Sequence, residues 1–235
     1  MSNDPGVDLL VFGPHPDDLE IGLGGTIARH TAAGLRVGLC DLTAGEMGSN
    51  GTPDQRLTEA DAARQVLGAA WRENFRWPDR RIGSTPAHMD EAVGFIRRHR
   101  PRTIAMPYWS DRHPDHGAAS ALLQEAAFNA GLRRYPGAGG SWKADWLCFY
   151  FINDSATPSF VIDVTDHYET KRRALDCHGS QFVRGGHDAA QTRLNTPLFR
   201  QLIESRDAQF GALAGVTWAE GVLVREPLIR ATLIK

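Results

Sequence analysis

"VDLLVFGPHPDDLEIGLGGT", residues 7–26, decides the fold. Val7 to Phe12 is a nearly continuous apolar run, the pattern of a strand buried on both faces. Glu20 to Ala33 places Ile21, Leu23, Ile27 and Ala28 near helical spacing, so the stretch reads as strand, loop and helix. Gly22, Gly24 and Gly25 weaken the first turns of that helix and point to close backbone approach. Between strand and helix stand His15, Asp17, Asp18 and Glu20, three carboxylates and an imidazole within six positions.

The same rhythm continues along the chain. "RVGLCDLT" (36–43) is a second buried strand, and 53–67 is a helix with Thr52 as N-cap, Pro53 at its first position and Gly68 at its end. A helix over 86–99 stops before Pro101, "TIAMP" (103–107) is a strand, and 116–130 is a small-residue helix ended by Gly131. Such repeated crossovers predict an α/β fold with a mostly parallel, doubly wound sheet and helices on both faces. Strands at 146–152, 160–164 and 220–224 and helices near 165–177 and 197–210 form a smaller C-terminal strand/helix extension. "RRYPGAGGSWK" (133–143) is a surface loop. "GSQFVRGGHDAAQTRLN" (179–195) is too polar and glycine-rich for a core and suits a binding loop or lid.

A chain of 235 residues with 42% hydrophobic content is expected to form a single domain, 1–235. A net charge of −2 lacks the basic footprint of a nucleic-acid binder and favours a small-molecule substrate. No apolar run approaches the roughly 20 residues of a membrane helix, and "MSNDPG" is unlike a signal peptide, so a cytoplasmic location is expected. Cys40, Cys148 and Cys177 are far apart and read as small apolar residues rather than zinc or disulfide partners.

In open α/β sheets the ligand site lies beyond the carboxyl ends of the strands. "PHPDD" (14–18) occupies that edge after the first strand, and "SDRHPDHGAAS" (110–120) occupies it after "TIAMP". Converging carboxylates and imidazoles with no nearby lysine require a positive charge among them, which a divalent metal supplies. His15 and Asp18 can face one ion and one histidine of "HPDH" can complete the set, leaving Asp17 beside it to handle a proton. In a competing reading Asp17 and Asp18 simply cap the helix that follows, and Glu20 favours its N-terminus. His30, His88, His99, His167, His178 and His187 lack a partner at ligand spacing and read as surface or packing residues, with His178 and His187 in or near the long loop. Dinucleotide binding is disfavoured because the glycines do not form G-x-G-x-x-G, and a serine hydrolase because no G-x-S-x-G occurs. A metal-dependent sugar-binding protein without catalysis has no need of the spare Asp17.

"PHPDDLE" and "RHPDH", in this order and separation, resemble the paired motifs of the LmbE/PIG-L family of zinc-dependent N-acetylglucosamine deacetylases. "GEMGSNGTPDQR" (45–56), "PSFVIDVT" (158–165), "SQF" (180–182) and "AEGVLV" (219–224) are similar to family segments too. The resemblance implies a Rossmann-like sheet, Zn²⁺ held by His15, Asp18 and His116, Asp17 as general base, and His113, oriented by Asp115, acting as an imidazolium. It places Arg56 on the substrate or the developing oxyanion. Ferrous iron accepts the same donors. Some members carry an oxyanion-donating tyrosine where "TPLFRQLIESRD" (196–207) has none, Leu202 standing nearest. Residues 40–52 are most similar to bacillithiol-biosynthesis deacetylases, implying N-acetylglucosaminyl malate as substrate, with a glycolipid, mycothiol-type or chitooligosaccharide substrate as the alternative. Arg56, Arg184 and Arg193 are the candidates to meet malate carboxylates. The resemblance also leaves room for a homo-oligomer.

Overall fold

The apolar run at the start of the chain forms β1 (Leu9–Gly13), and its side chains alternate between two cores. Leu9 and Val11 face one side; Leu10 and Phe12 face the other. Leu10, Val11 and Phe12 are 0% exposed, and each such side chain contributes roughly 1.5–3 kcal/mol of burial free energy. The computed structural model describes residues 6–183, 189–229 and 231–232. After β1 come α1 (Asp18–Ala32), β2 (Val37–Thr43), α2 (Pro53–Leu67), β3 (Trp71–Trp77), α3 (Pro86–His99), β4 (Thr103–Pro107) and α4 (Pro114–Gly131). There follow β5 (Trp146–Tyr150), β6 (Phe160–Asp163), a 3₁₀ turn (Thr165–His167), α5 (Tyr168–Cys177), α6 (Gly179–Phe182), α7 (Pro197–Ala214) and β7 (Ala219–Leu223).

The strands of the described residues form one sheet in the order β3-β2-β1-β4-β5-β7-β6. From β3 to β5 every pairing is parallel, while β7 runs antiparallel to both β5 and β6. This is the expected doubly wound α/β sheet with its C-terminal extension. Residues of α1, α2, α5 and α7 pack on one face, and residues of α3 and α4 on the other. Leu9 pairs with both Val37 and Thr103, so β1 and β4 are neighbours although nearly one hundred residues separate them. The strand order reverses there, and the loops leaving β1 and β4 meet at that switch point.

Local signals set most boundaries. Thr52 and Thr85 cap α2 and α3 by accepting from the Gln55 and His88 amides, each ahead of a proline at the first helical position. Strand β3 was not legible as an apolar run because "WRENFRW" is half polar. Trp71, Phe75 and Trp77 join the core at even spacing, while Arg72 turns its guanidinium to Asp41 and Glu20. Helix α1 breaks at Leu23 (φ −134°, ψ 18°), and the Glu220 carboxylate of β7 accepts from the Gly25 and Thr26 amides at 2.9 and 2.7 Å. Glu220 thus caps the second half of the helix from another strand. The α1 glycines serve close approach: a Cβ at Gly22 would strike the Tyr150 ring, and one at Gly25 would lie 2.8 Å from Val164.

No helix among the described residues is long and apolar enough to cross a membrane.

Candidate metal centre

The loop after β1 is folded by its own motif. Asp18 Oδ2 accepts from the His15 amide at 2.9 Å and lies 3.1 Å from His15 Nδ1. From the start of α4, His116 brings Nε2 to 3.4 Å from the same oxygen. The His15, His113 and His116 rings gather with centroids 4.8–5.8 Å apart. His15, Asp18 and His116 are all buried. The β1–β4 adjacency therefore brings the two histidine–carboxylate clusters into one centre.

Each ligand-type imidazole carries a carboxylate on its other nitrogen. His116 Nδ1 lies 3.0 Å from Asp111 Oδ1. Asp111 is itself held by the amides of His113, Asn153 and Asp154 at 2.8, 2.9 and 3.2 Å. His15 Nε2 faces Asp79 Oδ1 at 3.2 Å and Asp115 Oδ2 at 3.3 Å. Asp79 also accepts from the Met47 amide, and Asp115 pairs with Arg80 at 2.8 Å. Carboxylate–imidazole pairs of this kind orient metal-binding histidines and raise their basicity. Burial disfavours the charged imidazoles, but Asp115, Asp18 and Asp79 outweigh it at His15 and hold its pKa well above the ordinary value. At His116 the same opposition, with Asp18 and Asp111 prevailing, raises the pKa to about 9. Asp18 is held well below the usual carboxylate range because the His116 and His15 interactions overcome its burial.

Asp17 stands apart from this pairing. It occupies the N-cap position of α1 yet makes no side-chain capping bond, and its backbone is left-handed at φ 117°. A non-glycine residue there is strained, and such strain concentrates at functional sites. The helix-capping reading of Asp17 therefore fails. Burial pushes its pKa up to about 6, against the Arg56 guanidinium, with the Asp18 charge adding to the rise.

Three expected residues have partners that the sequence did not indicate. Arg56 is buried, donating to Gly45 O at 2.9 Å, Pro16 O at 2.8 Å and Asp17 Oδ2 at 3.3 Å. The β2–α2 loop, residues 44–52, leaves room for it, since a Cβ at Gly45 would strike its guanidinium. His113 caps α4, its Nδ1 accepting from the Asp115 amide at 3.3 Å. The Asp115 backbone thus orients the ring, while the carboxylate serves His15 and Arg80. Burial and the neighbouring His15 and His116 charges lower the His113 pKa in the metal-free centre. Glu20, expected only to favour a helix terminus, is 0% exposed and pairs with Arg72 at 2.6 Å and His178 at 3.3 Å. Arg72 and His178 compensate its charge against burial and bring its pKa down to about 2.

Asp79, Asp111 and Arg72 were not singled out from the sequence. Asp111 lies inside the quoted "SDRHPDH", but Asp79 and Arg72 follow segments without metal-type spacing. Leu202, on α7, is 38% exposed and offers no hydrogen bond. Arg184 and His187 lie outside the described residues.

The donor chemistry fits a divalent ion. Donor atoms of His15, His113 and His116 lie within 4.8 Å of one another, as do those of His15, Asp79 and Asp115. The second group is covered by Arg80, whose charge disfavours a cation, whereas among the described residues no arginine or lysine lies at hydrogen-bond distance from Asp18, which joins His15 and His116. Two nitrogens and an oxygen suit Zn²⁺ or Fe²⁺.

The family model PIG-L, described as GlcNAc-PI de-N-acetylase, matches residues 10–127, a span that includes both histidine motifs. Diacetylchitobiose deacetylase of Thermococcus kodakarensis is 30% identical over 229 residues, covering 91% of this chain and 81% of that protein. The 1D-myo-inositol 2-acetamido-2-deoxy-alpha-D-glucopyranoside deacetylase of Actinosynnema mirum is 27% identical over 226 residues, covering 74% of this chain and 80% of that protein. The crystal structure of conserved protein TT1542 from Thermus thermophilus superposes with a TM-score of 0.88 at 36% identity, covering 97% of this chain and 99% of that one. With the matched segment carrying β1, β4 and the residues that converge between them, the chain belongs to the PIG-L family.

Proposed function

We propose that the chain is a metal-dependent amide hydrolase that removes the N-acetyl group from an N-acetylglucosamine conjugate. One observation carries the reading: Asp17 is a buried, uncapped carboxylate on strained backbone beside a His15–Asp18–His116 donor set. A protein that only bound a sugar through its metal would gain nothing from that residue. The matched family and the relatives named above, whose names describe deacetylases of N-acetylglucosamine compounds, support the same chemistry.

His15, Asp18 and His116 would hold the ion, either Zn²⁺ or Fe²⁺, which when bound supplies a Lewis acid for the acetamide and for water. Asp17 accepts the proton of the attacking water as the new C–O bond forms, and Arg56 keeps its carboxylate in place. His113 accepts the Asp115 amide at Nδ1, so its neutral ring carries the proton on Nε2 and donates it as a hydrogen bond to the developing oxyanion. The C–N bond then breaks, Asp17 returns the proton to the amine, and acetate leaves. Asp115 acts at one remove, through His15 Nε2.

The finer reading takes N-acetylglucosaminyl malate, in bacillithiol biosynthesis, as substrate, on the likeness of residues 40–52. The test measures acetate release from N-acetylglucosaminyl malate, diacetylchitobiose and free N-acetylglucosamine, with and without a chelator. Release that is lost with chelator and restored by metal supports the reading. Chelator-insensitive release, or none from any substrate, overturns it.

A further inference from the structure

We infer that Arg193 forms an anion subsite at the rim of this centre, selecting conjugates whose aglycone carries a carboxylate or phosphate; the inference rests on the hydrolase reading above. Residues 189–195 are tied at both ends across the carboxyl edge of the sheet. At one end Ala190 exchanges two hydrogen bonds with the Asn50 side chain, at 3.0 and 2.9 Å, beyond β2. At the other, Arg193 Nη1 donates to Asn153 Oδ1 at 3.1 Å, beyond β5. The loops of β1 and β4 lie between those anchors in the strand order. Asn153 Nδ2 in turn donates to Asp111 at 3.1 Å, and Asp111 faces His116. The guanidinium therefore stands three polar contacts from a candidate metal ligand.

Arg193 is exposed, and its plane rests over the Phe199 ring at 5.3 Å. Its guanidinium donates to a neutral amide, and among the described residues no carboxylate pairs with it. The neighbouring arginines are spent otherwise: Arg56 on Asp17, Arg80 on Asp115, and Arg206 on Asp207 and three backbone carbonyls. Arg112 is exposed as well, but no described contact fixes it. Arg193 thus combines an uncompensated charge with a held side chain, and a held fork loses less entropy in gripping an oxyanion bidentately.

The test compares kcat and KM for acetate release from three N-acetylglucosaminides: the neutral methyl glycoside, the carboxymethyl glycoside and the 1-phosphate. The expected result is an anionic preference in kcat/KM, carried by KM and weakened by salt. Arg193→Gln is expected to cut the anionic-to-neutral ratio about tenfold, with Arg193→Lys intermediate. A larger effect on the carboxymethyl glycoside assigns a carboxylate, and a larger effect on the 1-phosphate assigns a phosphate. Release from the neutral glycoside without anionic preference, or an unchanged ratio in Arg193→Gln, overturns the subsite alone. Release from none of the three, with diacetylchitobiose also inert, overturns the hydrolase reading and the subsite with it.

Discussion

Arg56 Nη2 lies 3.3 Å from Asp17 Oδ2, and both side chains are buried. The guanidinium opposes the burial that lifts the Asp17 pKa to about 6. Asp17 must be ionised to accept a proton, so kcat/KM should rise with pH through an acid limb at or below about 6, since a bound cation draws the value lower. Arg56→Met removes the opposing charge and should move that limb upward by about one pH unit. A pH–rate profile with an unmoved limb would show that Arg56 does not act through Asp17.

Asp17→Asn should separate chemistry from stability. Turnover is expected to fall about 10²–10⁴-fold while metal content stays level. The folded pKa of about 6 lies above the ordinary carboxylate value of 3.8, so ionised Asp17 costs stability. That cost is absent below about pH 4, grows between the two values and is complete above about pH 6. Thermal melts of the metal-free variant should therefore show a gain of several degrees at about pH 7.5 and none near pH 4. Full activity in metal-loaded Asp17→Asn would remove the base assignment.

Metal retention should grade with distance from the ion. His15→Ala and His116→Ala are expected to lose it, as read by elemental analysis. Asp111→Asn, which removes the charge behind His116 and one of the two oxygens that hold the His113, Asn153 and Asp154 amides, should lower affinity about 10–100-fold and keep turnover at saturating metal. Chelator competition that finds Asp111→Asn equal to the parent would exclude this supporting role.

Lys171 is 0% exposed, 2.7 Å from Asp207 and 2.6 Å from Glu220. Lys171→Met strands the Glu220 carboxylate and should destabilise the fold by about 3–5 kcal/mol. The Gly25 and Thr26 amides donate to separate Glu220 oxygens, so adding Glu220→Gln removes the stranded charge and keeps an acceptor for one of them, and urea midpoints should recover in part.

The parallel sheet and its extension are legible along the chain, because buried strands are apolar runs and helix ends carry local signals such as Thr52–Pro53 and Gly68. The sequence also marks out His15, Asp17, Asp18, His113 and His116, whose chemistry is concentrated in two short motifs. The local pattern is equally compatible with helix capping by Asp17, which the backbone at φ 117° and the missing capping bond exclude. Strand β3 stayed hidden because its polar residues serve partners distant in the chain: Arg72 meets Asp41 and Glu20. Long-range contacts bring Arg56 to Asp17 and the Asp115 carboxylate to His15 and put Asp79 behind that imidazole, while Asp111 stands behind His116. Asp115 reaches His15 across the β1–β4 pairing, Arg56 and Asp79 reach the β1 loop from the segments after β2 and β3, and Asp111 meets His116 within one loop; local spacing carries no record of which charge a buried carboxylate will meet across a strand boundary.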